Sequence, residues 1–184
     1  MTTHEVNSSP SRWVRRFSGL VADGARVLDV ACGHGRHSRW FAARGCRVVA
    51  VDRDTAALDE LAAVARVTPM AADLEGGAWP FEDEKFDAVV VTNYLHRALF
   101  PHLLRALAGD GVLLYETFAR GNAAYGKPSN PDFLLADAEL LGVVGDALVV
   151  VAFEQGRIEV ERPAVVQRLA AVGRGRAWPP ELAD

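Results

Sequence analysis

The sequence has few cysteines: only Cys32 and Cys46 occur among its 184 residues. They form neither a C-x-x-C pair nor two matched pairs, so the sequence predicts no disulfide framework and no structural zinc site. We expect both as small buried side chains and expect no bound metal. Because Cys32 adjoins a glycine-rich segment, a nucleophilic role for this thiol stays open.

Long hydrophobic runs are also absent. The longest nearly uncharged stretches, such as FDAVVVTNYL and DALVVVAFEQ, are far shorter than the roughly 20 apolar residues that a membrane-spanning helix needs. The opening residues MTTHEVNSSPSRW have neither the basic start nor the apolar core of a secretory signal. We therefore expect a protein without a membrane segment, located in the cytoplasm.

An excess of basic charge is a third absence. Lys and Arg number 20 against 24 Asp and Glu, and the formal net charge is -4. The sequence offers no general attraction to phosphate backbones, so a nucleic-acid partner is not expected. A local basic patch for an RNA or protein acceptor is the alternative to ordinary solvated charge, and it would be formed by Arg12, Arg15, Arg16, Arg174 and Arg176.

The sequence does contain a repeated change between short β-branched runs and amphipathic segments. The β-branched runs are RVLDVA, RVVAVD, VTPMAAD, FDAVVVTN and GVLLYETF. This alternation predicts an α/β fold with a parallel sheet covered on both faces. Length and composition favour one domain over residues 1–184, with its core at about 13–173 and tails at 1–10 and 174–184.

Two segments between the first three runs have helical patterns. GRHSRWFAARG predicts a helix closed by Gly45, and DTAALDELAAVAR predicts one capped by Asp54 or Thr55. The apolar stripe of the second helix would consist of Leu58, Leu61, Ala62 and Ala65.

Further elements are predicted towards both ends of the chain. A later helix should begin near Pro101 and end at Gly109. DALVVVAFEQGRIE and RPAVVQRLAAVG predict an antiparallel hairpin that turns at Gly156 and Arg157. Near the N-terminus, SPSRWVRRFSGLV predicts a helix that packs on the sheet through Trp13, Phe17 and Val21.

The segment VLDVACGHGRHS carries the strongest functional signal. Gly33 and Gly35 allow a sharp turn and a close approach to a ligand after the first strand. The same pattern occurs in dinucleotide-binding folds, so an NAD-dependent oxidoreductase is one interpretation. The glycines alone do not decide between nucleotide-like ligands.

Acids at three consecutive strand ends add specificity. Asp29 lies in the first strand and needs a partner, which can be the backbone N–H groups of the glycine loop or a cationic ligand. Asp52 follows Gly33 by 19 residues, the spacing of an acid that accepts both ribose hydroxyls. Asp73, after the third strand, can accept from an exocyclic adenine amine.

These residues carry a family resemblance. VLDVACGHGRHSRWFAARGCRVVAVDRD resembles the first motif and the following acidic motif of class I S-adenosylmethionine-dependent methyltransferases, and AADLE with FDAVVVTNYL resembles the next two. NYLHRALFPHLLRAL and YETFARGNAAYGKPSNPDFLL resemble segments of small bacterial tellurite-resistance-like methyltransferases. The resemblance implies a Rossmann-like, doubly wound, mostly parallel seven-stranded sheet with a C-terminal antiparallel hairpin.

The resemblance also implies S-adenosylmethionine as the cofactor. Asp29, Gly33 and Gly35 would contact the methionine part of the cofactor, and Asp52 would bind the ribose hydroxyls. Asp73 with Leu74 would hold the adenine, and Asn93 would lie near the sulfonium. A cationic cofactor without phosphates suits these acids, whereas a pyrophosphate favours a helix N-terminus free of them.

Candidates for the acceptor side follow the fourth and fifth strands and occupy the long segment 119–137. The catalytic candidates are Asn93, His96, Arg97 and Tyr125, and the wider set adds Glu116, Thr117, Asn122 and Lys127. Tyr94 is expected to pack against the cofactor. His34 and Arg36 would recognise either the cofactor carboxylate or an anionic acceptor.

The chemistry of the acceptor is only partly constrained by the sequence. The N-P-P-Y motif of many amino-methylating enzymes is absent after the fourth strand. We therefore favour a small-molecule acceptor with a sulfur, selenium or tellurium nucleophile, which needs placement behind the methyl group rather than a general base. A methyltransferase acting on RNA or protein and a non-catalytic binding protein of the same fold are the alternatives. The sequence sets no oligomeric state.

Overall fold

One sheet supports the functional residues. A computed structural model of the chain describes residues 9–159 and 163–182. Within these residues, seven strands form a sheet in the order β3-β2-β1-β4-β5-β7-β6. The strands are β1 Arg26–Val30, β2 Arg47–Asp52, β3 Val67–Ala71, β4 Phe86–Thr92, β5 Leu107–Phe118, β6 Leu148–Ile158 and β7 Ala164–Gly173. The predicted Rossmann-like, mostly parallel seven-stranded sheet is confirmed.

The first five strands run parallel, and the strand order reverses between β1 and β4. Val27 of β1 pairs with Val48 of β2 on one side and with Ala88 of β4 on the other. All three side chains are buried, as expected for strands covered on both faces. In such sheets ligands bind beyond the carboxyl ends of the strands at the reversal, which places the site above β1, β2 and β4.

The C-terminal hairpin is confirmed, but the prediction of its turn was wrong. β7 lies between β5 and β6 and is antiparallel to both. Gly156 and Arg157, the predicted turn, lie inside β6 and pair with residues of β7. The connection runs through 159–163, of which 160–162 are outside the described residues. A glycine is tolerated here because β6 is an edge strand and pairing continues beyond it.

Helices cover both faces of the sheet. Among the described residues they are α1 Arg12–Phe17, α2 Arg36–Ala43, α3 Thr55–Asp59, α4 Phe100–Ala106 and α5 Glu139–Val144. Just after α2, as predicted, comes Gly45 with a φ of 86°. No helix in this part of the chain is long and apolar enough to cross a membrane.

Two helices are shorter than predicted. Asp54 caps α3 as expected, but the helix ends at Asp59 and turns follow. Of the predicted stripe, the two leucines are buried and the two alanines, Ala62 and Ala65, are exposed. Alanine buries too little apolar surface to hold further turns against the sheet. α4 ends at Ala106, and Gly109, its predicted end, already belongs to β5.

The segment expected as a C-terminal tail contacts the body of the molecule. The Gly175 N–H donates to the Gly109 carbonyl at 2.9 Å, and the Arg176 guanidinium donates to the Leu20 carbonyl at 2.6 Å. Of the two expected tails, residues 1–8 and 183–184 are outside the described part of the chain.

The helix α1 is fastened to the sheet through its tryptophan. Trp13, Phe17 and Val21 are buried, which confirms the predicted packing. The Trp13 indole N–H also donates to the Leu169 carbonyl of β7 at 3.1 Å. The Ser11 side chain accepts from the Val14 N–H and caps the helix. Packing and hydrogen bonding together hold this short helix, since six residues are marginal as an isolated helix.

We expect Trp13→Phe to lower the free energy of unfolding by about 2 kcal/mol more than Trp40→Phe, measured by urea denaturation. Both substitutions remove the same atoms. Only Trp13 loses a hydrogen bond, because the buried Trp40 indole N–H has no partner among the described residues. Equal losses in the two variants would show that the bond to Leu169 contributes nothing to the docking of α1.

Candidate functional site

The loop after β1 has a backbone conformation that only a few residues adopt readily. Ala31, Gly33 and Gly35 have φ values of 51°, 53° and 71°. Such left-handed conformations carry a steric cost for residues with a Cβ, which explains the two glycines. A Cβ on Gly33 would meet nothing within 4 Å, whereas one on Gly35 would lie 2.5 Å from the Leu61 side chain. Gly33 therefore borders open space, and Gly35 allows close packing.

Asp52 holds this loop in place. Its Oδ2 accepts from the Gly33 N–H at 2.8 Å, and its Oδ1 accepts from the Asp54 N–H at 2.9 Å. A carboxylate has about four lone-pair positions, so each oxygen can still accept from a ligand hydroxyl. The contact with the loop N–H that we considered for Asp29 is thus made by Asp52.

Asp29 itself is buried beneath the loop. The side chain is 1% exposed and accepts from the Ser38 hydroxyl of α2 at 2.6 Å. Removal from water raises the pKa of its carboxyl to about 6, although the Ser38 hydrogen bonds oppose the shift. A buried carboxylate with a hydroxyl as its partner would be stabilised further by a nearby cation.

An acidic cleft opens at the ends of β1, β2 and β3. Its volume is about 190 Å³. Residues that line it include Asp52, Arg53, Asp73, Leu74, Glu75 and Tyr94. The predicted residues Asp52, Asp73 and Leu74 are therefore brought together, and Tyr94 joins them. The carboxylates outnumber the single cation in this set, which disfavours a phosphate-bearing ligand.

The turn after β3 fixes Asp73 at the edge of the acidic cleft. Asp73 accepts from the Glu75 N–H at 3.0 Å. Backbone hydrogen bonds from Glu75 and Gly76 lower the pKa of the exposed Asp73 carboxyl, so it stays ionised. A Cβ on Gly77 would lie 2.6 Å from the Asp73 carbonyl oxygen, so this tight turn requires glycine. On the other wall, burial and the neighbouring Glu75 raise the pKa of Tyr94 to about 12.

A second cavity, which we call the arginine cleft, lies on the other side of the β4 end. Its volume is about 120 Å³. Residues that line it include Arg12, Arg36, Asn93, Glu116, Phe118 and Arg168. Asn93 adjoins Tyr94, so consecutive residues after β4 face the two cavities. Asn93 adopts a φ of 55°, a conformation that asparagine tolerates better than most residues.

The predicted residue Glu116 is buried in the wall of the arginine cleft. Its Oε2 lies 2.7 Å from Nε of Arg168, which also lies 3.4 Å from Glu154. Burial raises the pKa of the Glu116 carboxyl, and the positive charge of Arg168 opposes that shift. Arg168 was missed by the sequence analysis. Only the register of β7 between β5 and β6 brings it opposite these two glutamates.

His37 is a second residue that the sequence analysis missed. Its Nε2 accepts from the Ser11 N–H at 3.1 Å, and its Nδ1 lies 3.3 Å from the Thr92 hydroxyl. Burial lowers the pKa of the imidazole to about 3, so it is neutral and Nδ1 carries the hydrogen. His37 thus fastens the start of α1 to the end of β4. Its spacing of four residues from buried Phe41 was the available sequence signal.

The long segment 119–137 forms the outer wall of a neighbouring cavity, which we call the loop cleft. This cavity of about 480 Å³ is lined by Asn93, Phe118, Lys127, Pro128, Asn130 and Phe133, among others. Asn122, predicted as an acceptor-side candidate, instead anchors the segment. Its amide donates to the Pro128 carbonyl at 3.0 Å and accepts from the Val165 N–H at 3.1 Å.

Several candidates do not line any of these cavities. The Arg97 guanidinium donates to Glu139 and to the carbonyls of Asp132 and Leu134. These bonds attach the end of the segment 119–137 to the body of the protein. Tyr125 packs under the Arg157 guanidinium, 5.0 Å from its ring centroid. These contacts within the protein account for the positions of the Arg97 and Tyr125 side chains without a bound ligand.

The remaining predicted residues occupy peripheral positions. The charge of His96 contributes to lowering the pKa of Asp73, which places His96 on the side of the acidic cleft. Thr117 is buried within β5, and His34 lies 3.2 Å from Glu60 at the surface. Cys32 is buried, and burial raises the pKa of its thiol, so a nucleophilic role has no support.

Comparison with known proteins gives a consistent picture. Residues 27–111 match a family model described as a methyltransferase domain. A demethylmenaquinone methyltransferase from Clavibacter sepedonicus is 35% identical over 105 residues, which cover 52% of this chain and 42% of that protein. The chain spans less than half the length of the curated relatives it matches.

Solved structures share the fold at low sequence identity. TehB from Haemophilus influenzae has a TM-score of 0.73 at 16% identity, over 88% of this chain and 61% of that chain. A TehB-like SAM-dependent methyltransferase from Corynebacterium glutamicum has a TM-score of 0.64 at 17% identity, over 88% and 86% of the two chains. The chain therefore has the fold of the class I S-adenosylmethionine-dependent methyltransferases, resembles TehB-like proteins, and matches a methyltransferase domain over residues 27–111.

Proposed function

We propose that this protein binds S-adenosylmethionine in the acidic cleft and transfers its methyl group to a small-molecule sulfur, selenium or tellurium nucleophile. The observation that carries the proposal is the meeting of Asp52 and Asp73 at adjacent strand ends, beside the open Gly33 loop. A nucleoside needs hydrogen-bond acceptors for its ribose and its amine, and these two carboxylates supply them.

The residues present fit this cofactor. Apart from Gly33 and its two chain neighbours, no residue comes within 4 Å of the point where a Gly33 Cβ would stand, so a ligand can approach the loop backbone. Asp52 would accept from the ribose hydroxyls while it keeps the Gly33 N–H. Asp73 would accept from the adenine amine, and the buried Leu74 would pack against the ring. Asp29 lies below the loop, where the Ser38 hydroxyl and the charge of Arg36 stabilise its carboxylate and a further cation would be favourable.

The position of Asn93 suits the transfer step. When bound, S-adenosylmethionine supplies a methyl group on a sulfonium, and in-line displacement forms the new bond while the electron pair of the breaking bond stays on sulfur. Asn93 lines both the arginine cleft and the loop cleft, next to Tyr94 of the acidic cleft. We assign to Asn93 and the cleft walls the task of holding the nucleophile behind the methyl group, which supplies much of the rate enhancement.

A small acceptor is supported by the size of the cavity beside Asn93. The arginine cleft has about 120 Å³ and is walled by α1, β5 and β7. An ionised thiol or selenol needs no general base, which agrees with the engagement of Arg97 and the neutral, hydrogen-bonded state of His37. The name of the Clavibacter relative, a demethylmenaquinone methyltransferase, also describes a small-molecule acceptor.

We expect Asp52→Ala to weaken the binding of S-adenosylhomocysteine about 100-fold, measured by isothermal titration calorimetry, because two charge-assisted hydrogen bonds are lost. Asp59→Ala, an exposed acid of α3, is the matched control and should bind normally. Because Asp52→Ala also removes the hydrogen bond to the Gly33 N–H, circular dichroism checks that the variant is folded. Unchanged affinity in a folded Asp52→Ala variant would remove Asp52 from the site.

The pKa of Asp29 predicts a characteristic pH dependence of stability. The carboxyl ionises at about 6 in the fold and at 3.8 in the unfolded chain, so the native state binds the extra proton between these values. Asp29 therefore destabilises the native state progressively as the pH rises through this window. We expect Asp29→Asn to gain up to about 3 kcal/mol relative to the wild type between about pH 4 and about pH 7.

Saturating S-adenosylmethionine should reduce this difference, because a bound cation stabilises the Asp29 carboxylate. The measurement is urea denaturation of the wild type and Asp29→Asn across the pH range, with and without the cofactor. Parallel pH profiles without cofactor would contradict the raised pKa. A difference that the cofactor leaves unchanged would place the cationic groups of the cofactor away from Asp29.

We expect labelled methyl from S-adenosylmethionine to enter the small-molecule fraction of a cell lysate, and to enter thiols, selenite or tellurite in a panel of purified acceptors. The Asp52→Ala variant provides the background. Label recovered in RNA or protein would replace the small acceptor by a macromolecular one. Cofactor binding without transfer to any fraction would favour a non-catalytic binding protein.

A further inference from the structure

We propose that the arginine cleft selects a small organic anion, a carboxylate carried on an apolar body, as the acceptor. This inference rests on the proposed function, because it names the substrate class for the same active site. It is carried by a separate observation: guanidinium groups from three different elements converge on one cavity.

The cations come from distant parts of the sequence. Arg12 is the first residue of α1, Arg36 is the first residue of α2, and Arg168 lies in β7. Glu116 is the one carboxylate among the described residues that line the cleft. Guanidinium groups bind carboxylates through paired N–H donors, so a cluster of this kind recognises planar anions.

Two of the three guanidinium groups form no pair of their own with any described residue, although the charge of Arg36 opposes the rise in pKa that burial causes at the Asp29 and Glu116 carboxyls. Arg168 is already paired with Glu116 at 2.7 Å and with Glu154 at 3.4 Å. In the part of the chain that the structure describes, neither Arg12 nor Arg36 makes a side-chain hydrogen bond or an ion pair. The cleft therefore has cationic donors in excess of its internal carboxylate, and an anionic ligand would complete the pairing.

Part of the cleft lining is apolar. Phe118, Ile158 and Val166 line the cleft besides the arginines, together with Ala164. An inorganic oxyanion has no apolar surface and would make no hydrophobic contact with these side chains. The cleft volume of about 120 Å³ accommodates a short carboxylic acid.

The methionine carboxylate of the cofactor is the competing ligand for these arginines. The acidic cleft and the arginine cleft lie on opposite sides of Asn93 and Tyr94, and Arg36 follows the glycine loop directly. A cofactor carboxylate at Arg36 would make this arginine contribute to cofactor affinity. An acceptor at Arg12 and Arg36 would make both contribute to acceptor affinity alone, so the two possibilities differ in a measurable way.

The test compares butanoate with butanamide, which has almost the same shape and no charge. Calorimetric titrations use the full chain with and without saturating S-adenosylhomocysteine. We expect saturable binding of butanoate and binding of butanamide at least about tenfold weaker. Arg12→Gln and Arg36→Gln should each weaken butanoate about tenfold or more while leaving the affinity for S-adenosylhomocysteine unchanged. Arg15→Gln, which removes an arginine of α1 outside the cleft, should behave as the wild type.

Four results would overturn the inference: no saturable binding of butanoate, equal affinity for butanoate and butanamide, normal butanoate affinity in the Arg12 and Arg36 variants, or loss of S-adenosylhomocysteine affinity in them instead. Tighter binding of selenite than of butanoate would also overturn it, in favour of an inorganic oxyanion.

A catalytic arm separates this inference from the proposed function. We expect kcat/KM for 3-mercaptopropanoate to exceed that for 2-mercaptoethanol at least about tenfold, with the preference lost in Arg36→Gln. Comparable values for the two thiols would overturn the anion preference while leaving methyl transfer established. Absence of transfer to every thiol, with butanoate still bound, would contradict the sulfur acceptor of the proposed function and leave anion recognition standing.

Discussion

The hydrogen bond from the Gly33 N–H to Asp52, 2.8 Å long, is the interaction on which the site depends. It joins the end of β2 to a loop with a left-handed backbone, next to the bond from the Cys32 N–H to the Val51 carbonyl at 3.1 Å. The same carboxylate faces the acidic cleft, so one side chain both shapes the loop and presents acceptors to a ligand. Structural support and the proposed ligand recognition are therefore linked in Asp52.

The end of β4 divides the site by charge. Carboxylates dominate on the side of Tyr94, and guanidinium groups dominate on the side of Asn93. A cationic methyl donor would thus face the carboxylates of the acidic cleft, and an anionic acceptor would face the guanidinium groups of the arginine cleft. The two clefts are separated by the consecutive residues Asn93 and Tyr94. This separation draws the two reactants to neighbouring positions without exposing the positive cofactor to the arginines.

Residues that follow parallel strands were predictable because these strands end at the same edge of the sheet. Asp52, Asp73, Leu74 and Asn93 all lie at the cleft walls for this reason. Arg168 depends on the register of an antiparallel hairpin, which sequence spacing does not encode. The spacing of His37 from Phe41 indicates burial, but its hydrogen bond to Ser11 depends on the docking of α1. Arg97 and Tyr125 stay predictions as acceptor-side residues, and in the described part of the chain they contact Glu139 and Arg157.

The attachment of α1 has a thermodynamic consequence for the arginine cleft. Arg12 lines the cleft from a helix that is held by the bonds of Ser11 to His37 and of Trp13 to Leu169. Undocking of this six-residue helix removes one wall of the binding site, so ligand affinity includes the free energy of docking. A ligand that contacts both Arg12 and Arg168 would in turn hold the helix in place. The chain would then be most rigid at its N-terminal helix when both reactants are bound.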